Sequence, residues 1–156
     1  MINLTARILG LGALAGMRTM SAPAVLVTYL RRRGAERLDG SPLQLLASPA
    51  AAWVTRLLAA GELAADKVPG NPARTEPAPL LARAFSGGLA GYALSAAHGA
   101  SKGKGVALGA AAAVASAFAA YHARRVLVES SGLPDPVVAV AEDALVIAGG
   151  RRMADV

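Results

Sequence analysis

The chain contains no cysteine. That excludes a disulfide framework, a thiolate nucleophile and a thiolate metal site. Aromatic residues make up only 4% of its 156 residues. The basic residues therefore have no interleaved aromatics on which bases could stack, and nucleic acid is not an expected partner. Charge is scarce as well, at 17% of residues, against about 25% in an average soluble domain. There is no Ser-His-Asp set with suggestive spacing, no phosphate-binding loop and no cluster of metal ligands. The sequence thus gives no ground for an enzyme, a cofactor or a metal centre. The two histidines, His98 and His122, are lone residues near predicted helix ends, where solvation explains them better than a metal does.

What fills the chain instead is small and apolar. Hydrophobic residues reach 54%, mean hydropathy is +0.45, and there are 17 glycines. A soluble core built mainly of alanine buries roughly one methyl group per residue. In a bilayer the same composition works, because small residues let helix backbones approach closely where no hydrophobic force drives them together. The reading is an all-α, polytopic transmembrane helical bundle, one integral membrane domain over residues 1–156; the alternative is a soluble alanine-rich bundle. The net charge of +6 then reads as loop arginine at a membrane surface. An N-terminal Arg7 and apolar run imitate a signal peptide. The run resumes at Ala24, which argues for a retained segment.

Five apolar stretches stand out, at about 4–30, 43–65, 80–99, 106–128 and 137–149. Ser41-Pro42 reads as a cap with proline at the first helical position of the second stretch, and Asp135-Pro136 opens the fifth. "SKGKG" (101–105) reads as a turn. At about 20 residues per crossing the first four are long enough to span. The fifth could cross, re-enter or lie on the surface. The first would reach roughly 40 Å as one helix. A break between Gly16 and Ala24, where Pro23 lacks a donor, absorbs the excess. If all five cross, Arg31, Arg32, Arg33, Arg37, Lys102, Lys104, Arg151 and Arg152 collect on one side. That small excess over the other side would make it cytoplasmic, in a multi-pass protein of the inner membrane. "GALAG" (12–16) and "GGLAG" (87–91), each preceded by an arginine, suggest an internal repeat.

Small residues recur at helical spacing. Gly87, Gly91, Ser95 and Gly99 form one stripe, Gly105 and Gly109 start a second, and Gly12 and Gly16 make a step of a third. Such faces serve intramembrane packing, a homo-oligomer interface, or both.

Arg18 lies near the middle of the first stretch, where an arginine costs at least about 2.5 kcal/mol to insert. Thr19, Ser21 and Pro23 follow it. Its candidate partners are Glu62 and Asp66, which share one helix face, and Glu142 and Asp143, with the last two favoured because they too lie within an apolar stretch. Arg56, with Thr55 and Trp53, is a further candidate buried polar position, on the second stretch. The plainer reading of these charges is a structural ion pair or snorkelling to the interface. The sharper one is a ligand or ion path at a helix break.

The segments "GMRTMSAPA", "GELAADKVPGNPART", "RAFSGGLAGYAL" and "EDALVIAGG" together resemble small bacterial membrane proteins of the domain of unknown function 4126. The resemblance spans nearly the whole chain. It implies an all-helical membrane protein and no known activity. It emphasises Arg18, Glu62, Asp66, Lys67, Glu142 and Asp143. The function expected first is a small transporter or channel-like protein. It would bind or move a small polar or ionic solute through a mid-membrane site of Arg18, Thr19, Ser21, Glu62, Asp66, Lys67, Glu142 and Asp143. The alternative is a scaffold or lipid-binding protein whose buried charges only fix helix register.

Overall fold

A computed structural model describes residues 2–33, 38, 40–65 and 75–154. Among these the chain is all-α, with six α-helices, one 3-10 helix and no strand. The helices are α1 (Leu4–Met17), α2 (Ser21–Arg33), α3 (Pro49–Ala65), α4 (Pro77–Ala97), α5 (Lys102–Ser131) and α6 (Asp135–Ala154). One helix, α5, is long and apolar enough to cross a membrane by length and composition.

The first apolar stretch is broken at Arg18, Thr19 and Met20, between α1 and α2. Pro23 accounts for the position. It sits in the first turn of α2, where no amide hydrogen is needed, and it cannot donate to Thr19 O as a continuous helix would require. Three departures from the sequence reading follow from caps. The second stretch is two elements, because Ser48-Pro49 repeats the signal of Ser41-Pro42. A 3-10 helix (Pro42–Ala47) ends at Ser48, which is held extended. The Ser48 hydroxyl then accepts from Ala51 N at 3.1 Å as α3 begins. "SKGKG" is no separate turn, since Ser101 caps α5 and residues from Lys102 onward are its first turn. The fifth stretch extends to 20 residues, about 30 Å of helix.

Helices α1, α4 and α5 pack closely through their small residues. A Cβ on Gly87 or Gly91 of α4 would fall within 3.0 Å of the α5 backbone, at Gly109 O and Gly105 O respectively. The reverse holds for Gly105 and Gly109, which meet Gly91 O and Gly87 O. Ser95, 1% exposed, fills the space beside Gly105. On the other flank, a Cβ on Gly12 would lie 2.5 Å from the same Gly109 O, and one on Gly16 within 3.0 Å of Ala113 O. These stripes are therefore consumed inside the chain. Gly99 does not belong to them. It lies beyond the end of α4, in left-handed conformation (φ 63°), with open space where a side chain would go. Its role is to end the helix, which only a residue tolerant of positive φ does cheaply.

Of the remaining helices, α2 packs against α1, α3 and α6, and α6 also packs against α1. Leu11, Leu26 and Leu30, each at most 1% exposed, belong to the shared core, where Leu94 of α4 joins them. Arg18 and Asp143 meet, and seven residues on a Cβ at Gly150 would lie 2.9 Å from Val25. That equal step makes α2 and α6 parallel neighbours.

The glycine packing yields a three-way test. Gly91→Ala should lower the melting temperature of the detergent-purified protein, since overpacking typically costs about 1–3 kcal/mol. Gly61→Ala, in an exposed helical position with open space, should be neutral or raise it by up to about 1 kcal/mol. Gly99→Ala should destabilise through backbone strain alone, by about 1–2 kcal/mol.

A broken helix, an ion pair and a cavity

The break leaves backbone groups that two helix ends normally orphan. Their partners come from across the fold. On the donor side, Thr19 N and Met20 N both point at the Glu62 carboxylate, to Oε1 and Oε2 at 2.7 Å each. A carboxylate at the entry to α2 is also favoured by the helix dipole. On the acceptor side, Arg83 Nε donates to Gly16 O at 3.1 Å. Ser86 Oγ donates to Thr19 O at 2.6 Å, the carbonyl that Pro23 cannot serve. Ser21 Oγ lies 2.8 Å from Leu14 O and 2.6 Å from Arg18 O. Ser116 Oγ of α5 donates to Ala13 O at 2.7 Å.

The Arg18 side chain reaches from the break to α6. It is 3% exposed, and its Nε and Nη2 donate to Asp143 Oδ1 at 3.0 and 2.5 Å. Asp143 was one of the two favoured partners. Its neighbour Glu142 points toward α5, 3.6 Å from Arg124 Nη1. Adjacent residues on a helix diverge by about 100°, so only one of the pair can line a given face. Arg124 also holds Asp135 at 2.8 and 2.6 Å. Asp66 and Lys67 lie outside the described residues.

Above the ion pair a cavity of about 240 Å³ runs between α2, α3 and α6. Arg18, Ser21, Glu62 and Asp143 line it at the break. Val25, Ala59, Leu63, Val146 and Ile147 supply apolar wall. Arg56 and Arg151 also line it, farther along α3 and α6. Arg56, expected as a buried polar position, is exposed, as is Trp53 beside it. Thr19 contributes to the site through its backbone. The cavity has no metal-ligand set: no three His, Asp or Glu side chains among the described residues are placed to hold an ion.

A second buried cation lies elsewhere. Arg7, 3% exposed, sits 4.3 Å over the Tyr29 ring and donates to Met153 O at the end of α6. Tyr29 OH in turn lies 3.1 Å from His98 Nε2, and the rings stack. His98 is thus an anchored residue at the end of α4, with more than water around it.

The sequence did not point to Arg83, Ser86 or Ser116 as contributors. Each serves a backbone carbonyl, and nothing in a side-chain pattern marks which carbonyl a neighbouring helix will reach.

The chain belongs to the family described as domain of unknown function DUF4126, whose profile matches residues 5–151. No curated protein matches it, and no solved structure does.

The ion pair is testable by a double-mutant cycle. Arg18→Ala or Asp143→Ala alone should each destabilise the protein by about 3–5 kcal/mol, because a buried charge is stranded. The double variant should recover part of that loss in thermal or denaturant unfolding. Simple additivity of the two losses would show that the residues do not act as a pair.

Proposed function

We propose that the chain is a multi-pass protein of the bacterial inner membrane that binds, and moves, a small polar or ionic solute at the cavity between α2, α3 and α6. The observation carrying this reading is the cavity itself. It brings Arg18, Asp143 and Glu62 to the point where a helix is interrupted, beside the apolar wall of Val25, Ala59, Leu63, Val146 and Ile147. Interrupted helices at membrane depth are tolerated against protein or water, and they are frequent sites for ions. The volume falls just below the roughly 300 Å³ at which drug-sized pockets begin, which suits a small solute.

Membrane placement is supported by what the helices expose. Trp53, Leu57, Leu58, Leu81, Phe85 and Leu145 are each 50% or more exposed. A soluble monomer rarely leaves so much large apolar surface uncovered. Just 17% of the most apolar window of α5 is buried, whereas the apolar helix of a soluble core is buried nearly throughout. With 20 or more residues, α4 and α6 also have the length to cross. A homo-oligomer, if it forms, would have to use these exposed faces, since the glycine stripes are occupied within the chain.

One observation favours the second reading, a scaffold whose charges are structural. Both oxygens of Glu62 are engaged by Thr19 N and Met20 N, so Glu62 acts as a brace for the break.

The absence of cysteine makes topology directly measurable. A single cysteine at Ser101 and, separately, one at Leu133, just beyond the two ends of α5, should be labelled by an impermeant thiol reagent from opposite faces of intact spheroplasts. Labelling of both from one face would sink the membrane reading. For the solute, the Arg18→Ala, Asp143→Ala double variant should refold into proteoliposomes but lose flux of whichever small ion the native protein conducts. Retained flux in a stable double variant would leave the scaffold reading.

A further inference from the structure

The acids of the cavity are already engaged, Asp143 by Arg18 and Glu62 by two backbone amides. The two arginines at its other end are not. Arg56 and Arg151 line the cavity and form no ion pair or hydrogen bond among the described residues. Their register places both toward the same end of the cavity. Arg56 lies six residues before Glu62 on α3, and Arg151 eight residues after Asp143 on α6, about 9 and 12 Å along their helices. Because α3 runs back along α2 and α6 runs parallel to it, both displacements point toward the C-terminal end of α2. Thr28 lines the cavity there, with its hydroxyl given to Ala24 O at 2.8 Å. That end of α2 closes with Arg31, Arg32 and Arg33.

We infer that the Arg56–Arg151 end of the cavity binds a phosphate-type oxyanion, such as the head of an anionic lipid, with apolar chain against Val25, Leu63 and Ile147. The inference rests on the reading that this cavity is a binding site in a membrane protein. Three arguments carry it. Two guanidinium forks without acids are suited to an oxyanion with several acceptors, which they meet bidentately. The walls between the arginines and the ion pair are apolar, which a free inorganic ion would not need. And the arginine-rich end of α2 marks the side on which anionic lipid phosphate concentrates and basic clefts between helices collect it.

The source of the phosphate is separable by experiment. The purified full-length protein is placed in nanodiscs of phosphatidylcholine alone or with phosphatidylglycerol, and its melting temperature is followed with and without inorganic phosphate. Phosphatidylglycerol should stabilise the native protein. Arg56→Gln and Arg151→Gln should each weaken the apparent lipid affinity about five-fold. Arg152→Gln is the control: it removes the same charge from the neighbouring position, which is exposed and does not line the cavity. Stabilisation by inorganic phosphate in neutral discs, lost in the same two variants, would keep the site and assign it to the free ion. Equal effects of Arg151→Gln and Arg152→Gln would overturn the proposal in favour of bulk surface charge, as would no response to either probe. The parent reading fails differently. If alkaline carbonate strips the native protein from membranes, it is not integral, whatever the arginines do.

Discussion

Backbone hydrogen bonding at the break between α1 and α2 organises most of the molecule. In an apolar setting each unsatisfied amide or carbonyl costs several kcal/mol. A three-residue interruption therefore needs partners supplied from elsewhere. Glu62 comes from α3, and Arg83 and Ser86 from α4. Asp143 of α6 joins through Arg18. Helices α3, α4 and α6 each send a side chain to this segment, its flanking carbonyls or the arginine that leaves it, and α5 reaches Ala13 O in the turn before it. The break is thus a tie point, and the helices around it are fixed in register by the carbonyl or amide each must reach.

Two kinds of packing result. Where glycine faces glycine, as Gly87 faces Gly109 and Gly91 faces Gly105, backbones close until a single added carbon would collide. Where helices present Arg18, Glu62, Asp143 and Arg56, they cannot close to that distance, and the cavity is the space left between them. The compact side and the hollow side share α1 and its continuation α2. A rigid, small-residue core on one side and an open, charged cleft on the other is the arrangement expected of a site held by a firm scaffold.

Much of this was legible in the sequence, and what was not has definite causes. The break could be read because Pro23 and the polar run before it act locally. The glycine stripes could be read because helical spacing alone puts Gly12 with Gly16, and Gly87 with Gly91 and Ser95, on shared faces. Gly99 was misplaced because spacing cannot tell a helical glycine from one that ends the helix. The split of the second stretch was missed although Ser48-Pro49 carries the same signal as Ser41-Pro42, since an apolar run on both sides masked it. Asp143 could be named as a partner for Arg18 because two charges isolated in apolar stretches need each other. Which of Glu142 and Asp143 faces Arg18 depends on the rotation of α6, which is set by Gly149 and Gly150 lying against Leu14 and Val25. That rotation is a tertiary fact.

The buried arginines give the suggested repeat a physical content. Arg7 and Arg83 each precede a small-residue stripe by about one helical turn. Arg7 donates to Met153 O, in the last turn of α6, and Arg83 to Gly16 O, in the last turn of α1. In both cases a guanidinium meets the negative end of a helix dipole, where orphan carbonyls are otherwise left. The glycines that follow, Gly12 and Gly87, both close on one atom, Gly109 O. The two segments thus perform the same pair of tasks. Each caps the end of another helix with an arginine, then lays a glycine against the same turn of α5. For Arg7 the helix terminus supplies the opposite partial charge, and the Tyr29 ring lies beneath the guanidinium.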